Sequence, residues 1–117
     1  MSEDVLDWQE LLDRVQEDKD LALELFDIFI EDYKTKRQNL TGALEKQNFD
    51  EVRSIAHSLK GASGNISAKA LRQSFLKLEE MAKANSLKGK DELLQGIDQK
   101  FQELEKRIAE IKAQNKP

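Results

Sequence analysis

His57 is the only histidine in this 117-residue chain. There are no cysteines, so thiolate nucleophiles, disulfides and Cys-based metal sites are excluded. The side chains around His57 narrow what its imidazole can do. Positions one turn away on either side are Arg53, Ser54, Lys60 and Gly61. None is a carboxylate, so an acid to orient a triad-like base would have to come from elsewhere in the fold. With a single histidine a His-rich metal site is impossible, and no metal ligand set is assigned. There is no GxxxxGK[ST] loop to cradle a nucleotide, so the chain is expected not to make its own phosphoryl donor. Lys60, at i+3, suits one chemistry: stabilising an anionic group such as a phosphoryl carried on the imidazole. Like-charge repulsion from Lys60 also favours the neutral, nucleophilic ring.

The stretch "IAHSLKGASGNIS" carries two glycines, Gly61 and Gly64, in what otherwise reads as a helix. Each costs roughly 0.8–1 kcal/mol relative to Ala in a helix interior. A wheel at about 100° per residue puts Val52, Ile55, Ala56, Leu59, Ala62, Ser63 and Ile66 on one face. His57 falls at about 140° from Val52, Gly64 at about 120° and Gly61 at about 180°. His57 is therefore expected to face solvent or a partner. The two glycines should leave an open groove beside it, where another backbone can come close.

These residues must be held by a scaffold, and the periodicity predicts a helical one. Val5, Trp8, Leu11, Leu12 and Val15 mark a short helix over 5–15. Asp18 or Asp20 can cap a long helix over 20–46, with an apolar stripe of Leu21, Leu25, Ile28, Phe29, Tyr33, Leu40 and Leu44. Gly42 and the run "KTKRQN" could bend or split it. Asn48 or Asp50 caps the His57 helix, about 50–64. Ser67 can cap a fourth segment over 67–84, with Leu71, Phe75, Leu78 and Met81 or Ala82 inward. After the turn "NSLKGK", a last helix over 90–113 follows Leu93 or Leu94, Ile97, Phe101, Leu104, Ile108 and Ile111. No segment alternates with period two. The expectation is all-α: one domain over 1–117, an antiparallel up-and-down four-helix bundle with a short additional N-terminal helix.

Composition bounds the function class. No apolar run approaches the ~20 residues that span a bilayer, and "MSEDVLDWQE" lacks the features of a signal peptide, so a cytoplasmic protein is expected. The net charge is −4, unevenly spread. Residues 1–32 are strongly acidic, whereas residues 33–90 hold 12 bases and 5 acids. The His57 half should present positive potential to an anionic partner. The bases are diluted by acids, and no aromatics are interleaved for stacking, so nucleic acid is not the expected partner.

The run His57-Ser58-Leu59-Lys60-Gly61-Ala62-Ser63-Gly64, followed by Leu71 in the next helix, resembles the histidine-containing phosphotransfer domains of multistep two-component systems. The flanking "FDEVRSIAHSLKG" and "LRQSFLKLEEMA" are also similar to that family, and the resemblance covers about residues 5–112. It implies that His57 is the phosphoacceptor through Nε2, with Lys60 near the phosphoryl oxygens and Gly61 and Gly64 giving room for a docking receiver domain. Receiver domains of response regulators or hybrid histidine kinases would be the partners, bringing the aspartate and the Mg²⁺. The module would need no cofactor of its own and would work as a monomer. In this family a polar residue on the adjacent helix often contacts the histidine or its phosphate, and the spacing puts Glu79 there. An acid at that place would repel phosphate; the alternative is an ordinary exposed helix residue. Receiver docking is expected on the His57 face, with Arg53, Ser54, Ser58, Lys69 and Arg72 as contributors. Of these, Arg53, Lys69 and Arg72 would steer an acidic partner. Val5, Leu6 and Leu12 are candidate apolar contacts, or else core. The family commonly has Gly where this chain has Ser67. If that turn needs a positive φ, Ser67 is strained, unless Gly64 or Asn65 supplies the turn. Two other readings compete: a helical adaptor that binds partners without carrying phosphate, and a fragment of a kinase dimerisation domain; the N-terminal domain of a chemotaxis kinase is a close relative of the phosphotransfer reading.

Overall fold

The computed structural model describes residues 5–115. Among the described residues five helices follow one another: α1 (Trp8–Arg14), α2 (Lys19–Glu45), α3 (Phe49–Asn65), α4 (Lys69–Lys83) and α5 (Lys90–Gln114). No strand occurs among the described residues. Each of the first three starts on a short polar side chain that accepts an orphan backbone N–H. Asp7 accepts from Glu10, Asp18 from Leu21 and Asn48 from Glu51. The α5 N-cap is Gly89, whose φ of +85° only glycine adopts freely.

Cross-helix contacts fix the topology. Asp27 meets Lys112, Lys34 meets Glu105 and Arg37 meets Asp98, so α2 and α5 run antiparallel. His57 meets Glu79, and Arg72 packs where a Cβ on Gly64 would sit, so α3 and α4 do too. The four long helices thus form an up-and-down bundle, 48 × 23 × 20 Å. At one end α1 lies across the α3–α4 turn. Trp8 packs tilted against Phe26 with ring centroids 5.7 Å apart, Asp7 N–H donates to Ser67 O at 3.0 Å, and Arg14 donates to Gly64 O at 3.1 Å.

The core is aliphatic, with one aromatic cluster. Tyr33 lies parallel to Phe101 with centroids 3.9 Å apart and meets the edge of Phe75 at 6.0 Å. Helix α3 contributes Val52, Ala56, Leu59 and Ser63, and α4 contributes Leu71, Phe75, Leu78 and Ala82. Small residues on α3 let α4 approach closely, which brings the flanks of the two helices within hydrogen-bonding reach.

Four expectations are corrected. Helix α2 runs unbroken through Gly42 for 27 residues. Its buried stripe is Ala22, Phe26, Phe29, Tyr33, Leu40, Ala43 and Leu44. Leu21 and Ile28 lie outside it, 41% and 63% exposed. Ser67 does not cap α4; Ala68 does, without a side-chain bond. Ser67 instead takes the positive φ of the turn itself, at +65°, while Gly64 and Asn65 stay helical. Its hydroxyl donates to Glu10 at 2.8 Å and accepts from Arg14, which ties α1 to the turn and offsets the backbone strain. Leu6 and Leu12 are buried and Val5 packs against the core, so none of the three is an apolar docking contact.

Candidate functional site

His57 sits midway along α3, on the flank that faces α4. Its side chain is 68% exposed. The flank is set by the core spacing: with Val52, Ala56, Leu59 and Ser63 inward, position 57 points away from the core and towards the seam. On α4, Leu78 and Ala82 point inward, and Glu79 is carried to the same seam from the other side.

Glu79 is almost wholly buried, with 4% of its surface exposed. A buried carboxylate without partners would be costly, and this one has two. Lys60 Nζ donates to Oε1 at 2.7 Å, and His57 Nδ1 lies 2.8 Å from Oε2. Helix α3 supplies both donors from residues three apart, so one carboxylate from α4 closes a triangle with them. The bond from Lys60 holds the Glu79 carboxyl below the usual carboxylate range; burial opposes it, and the bond from His57 adds to it.

The tautomer follows from this pairing. An ionised carboxylate can only accept, so His57 Nδ1 carries the hydrogen. In the neutral ring Nε2 then carries the free lone pair, on a side chain that is largely exposed. Beside it lies an open hollow of ≈ 310 Å³, lined by Arg53, Ser54, His57, Glu79 and Lys83. Among the described residues neither Arg53 nor Lys83 is tied up in an ion pair. The arrangement suits an electrophile that carries negative charge.

The glycines part company. Gly61 is exposed, and a Cβ built on it would meet nothing within 4 Å, so the surface one turn after His57 is open. Gly64 is not an open groove: a Cβ there would come within 3.2 Å of Arg72 Cδ. It is the place where the Arg72 stem crosses α3. Arg72 itself is exposed on the α4 flank, two turns before Glu79. Ser54 is exposed, and Ser58 is half-buried, accepting from Lys36 Nζ at 2.6 Å. Lys69 stands away from the site, at the foot of α4. Asp7 and Glu10 of α1 hold its ammonium at 3.2 Å each, so it does not present a free charge to a docking partner.

Two residues escaped the sequence reading. Lys83 was findable, since it lies at i+4 from Glu79 and so shares its flank. Lys36 had no local signal, because its meeting with Ser58 depends on how α2 packs on α3. The burial of Glu79 was also hidden. Its 22-residue separation from His57 gives no hint of an acid inside the seam, and the alternative of an ordinary exposed residue is ruled out.

Comparison with known proteins agrees with this geometry. The family model described as "Hpt domain" matches residues 24–114. The chain is 26% identical over 105 residues to histidine-containing phosphotransfer protein 2 of Arabidopsis thaliana, covering 86% of this chain and 67% of that protein. It superposes on the crystal structure of histidine-containing phosphotransfer protein B (HptB) from Pseudomonas aeruginosa PAO1 with a TM-score of 0.86. That match has 25% sequence identity and covers 95% of this chain and 96% of the other. Hpt domains are phosphocarriers rather than catalysts and interact with receiver domains. With its helical bundle and an exposed imidazole held at one nitrogen, the chain belongs to the Hpt domain family and is a histidine-phosphorelay intermediate of two-component signalling.

Proposed function

We propose that His57 Nε2 is the phosphoacceptor, taking the group from the phosphoaspartate of one receiver domain and giving it to an aspartate of another. One observation carries the assignment: Nδ1 is engaged by the buried Glu79 carboxylate, and the ring is otherwise exposed. In the loading step the Nε2 lone pair attacks phosphorus. The bond from phosphorus to the aspartyl oxygen breaks, and its electron pair leaves with the aspartate carboxylate. Glu79 holds the ring in the productive tautomer and orientation throughout, as a second carboxylate orients a catalytic histidine elsewhere. Arg53 and Lys83 flank the hollow in which the phosphoryl oxygens arrive. Lys60 keeps Glu79 ionised and lies one turn from the acceptor.

On this reading the chain needs no nucleotide or metal of its own, and the receiver supplies Mg²⁺ along with its aspartate. It works as a monomer in the cytoplasm. The receiver docks over His57, Gly61, Ser54 and Ser58, with Arg53 and Arg72 attracting its acidic pocket.

The test uses a receiver domain phosphorylated on its aspartate, with Mg²⁺, mixed with the wild type and with His57→Gln. Acid-labile, alkali-stable phosphate on the wild type alone is the expected result. Equal labelling of the variant, or none on either from several receivers and a histidine-kinase donor, rejects the assignment in favour of an adaptor that carries no phosphate.

A further inference from the structure

The charges around His57 are lopsided. Helix α3 brings Arg53 and Lys60, α4 brings Lys83 and Glu79, and the facing flank of α2 brings Lys36, itself paired with Asp32 at 2.9 Å. Glu79 is the single anion of this set that touches the ring. Its side chain is largely covered, and Lys60 and His57 are the two groups it bonds.

The chemistry of giving the phosphoryl group away makes that anion matter. When the P–N bond of phospho-His57 breaks, its electron pair returns to Nε2, and phosphorus joins an oxygen of the receiver aspartate. If Nδ1 still holds its proton, the leaving group is a neutral imidazole. If the proton has gone, the leaving group is an imidazolate anion, and the transfer is far harder. After loading, the phosphorylated ring is a cation as long as Nδ1 stays protonated. The surrounding cations favour loss of that proton, whereas a carboxylate 2.8 Å from Nδ1 favours its retention.

We infer that Glu79 is a positioning residue that keeps the proton on Nδ1 of phospho-His57, and so keeps the loaded module a competent donor into the alkaline range. The inference rests on His57 being the acceptor. It gives the acid at position 79 a purpose. The repulsion it exerts on the phosphoryl group is largely cancelled by Lys60, while its bond to Nδ1 sustains the donor form.

The experiment loads the wild type, Glu79→Gln and Lys60→Gln with phosphoramidate, which phosphorylates histidine without any partner. Transfer to one receiver is then timed between about pH 6 and pH 9, and ¹⁵N NMR of each loaded protein locates the pH at which Nδ1 loses its proton. Glutamine keeps an acceptor oxygen but loses the charge. We expect the transfer profile of Glu79→Gln to fall off about one pH unit earlier, so that it is about tenfold slower near pH 8 and converges on the wild type near pH 6. Lys60→Gln removes a cation and leaves the anion, so its midpoint should move the other way even if its maximal rate drops. A Glu79→Gln profile and Nδ1 titration that superimpose on the wild type overturn the inference while leaving His57 as acceptor. If Glu79→Gln does not fold, a Lys60→Gln midpoint that stays fixed or moves down overturns it as well. Phosphate on residues other than His57 removes the acceptor assignment and this inference together.

Discussion

The α3–α4 seam and the α2–α5 seam each set a carboxylate against a basic side chain, and the two pairs are built differently. On α2 and α5, Arg37 grips Asp98 with two bonds, Nε to Oδ1 at 2.9 Å and Nη2 to Oδ2 at 3.1 Å. Both carboxylate oxygens are used on one partner, and the Asp98 side chain is 51% exposed. On α3 and α4, Glu79 divides its oxygens between Lys60 and His57 and is buried. An exposed pair can be lost at small cost, so it is a fastening. A buried carboxylate is costly to keep and costly to strip of a partner. Its place in this bundle is explained by what its second oxygen does for the ring, not by stability.

The largest difference should appear when each acid is truncated. Glu79→Ala leaves the ring free to take either tautomer and strands Lys60. Loading of His57 from a phosphorylated receiver should slow by about 100-fold, the lower end of what a correctly positioned acid–base group contributes. Asp98→Ala should leave loading unchanged. Rates that fall equally in both variants would mean that the two pairs are equivalent supports and would erase the distinction.

Core truncation next to the seam gives the reference for a purely structural effect. Phe75→Ala removes a fully buried ring that meets Tyr33 and lies on α4 one turn before Glu79. It should cost about 3–5 kcal/mol in denaturant unfolding. Where the protein is still folded, the pH profile of transfer should keep its midpoint. A shifted midpoint would show that any loosening of α4 mimics the loss of Glu79.

Acid should distinguish the seams as well. The folded-state pKa of Glu79 lies below its ordinary 4.5. The stabilisation from its two bonds is therefore complete above that value and is lost as pH falls through the lower, folded value. Thermal melts below about pH 4.5 should show an acid-driven loss in the wild type that is smaller in Glu79→Gln. Identical acid limbs would mean that Lys60 and His57 do not stabilise the ionised form.

What the sequence revealed of this arrangement follows from distance along the chain. All five helices and the outward direction of His57 are local matters of spacing, and all were legible. So was Gly61, because a helix face is read within a few residues. The register of α2 was not: Leu21 and Ile28 are as apolar as Phe26 and Phe29, and only packing decides which are covered. The role of Gly64 depends on Arg72 crossing it from α4, and the fate of Lys69 on α1 folding back to it. Ser67 was flagged as a strained position if its turn required a positive φ, and it adopts one. The Glu10 and Arg14 side chains that hold it come from more than fifty residues away. The triangle of His57, Lys60 and Glu79 is half local and half not. Two members sit one turn apart and were read together, while the third needed the antiparallel register of α3 and α4 to be seen as buried.

The smallest expected effect returns to the α2–α5 seam. The Tyr33 hydroxyl is buried there without a partner among the described residues, beside the Arg37–Asp98 pair. Burial, with Asp98 nearby, pushes its ionisation well above the ordinary tyrosine value. The hydroxyl therefore stays neutral and contributes a desolvation cost with no bond to offset it. Tyr33→Phe keeps the stack on Phe101 and removes that cost. It should be neutral or stabilising by up to about 1 kcal/mol, with no change in phosphoryl transfer, whereas Tyr33→Ala should lose about 3–5 kcal/mol. A loss of more than about 1 kcal/mol in Tyr33→Phe would show that the hydroxyl makes a bond in solution. The α2–α5 seam would then hold a buried polar group with a job, as the α3–α4 seam does.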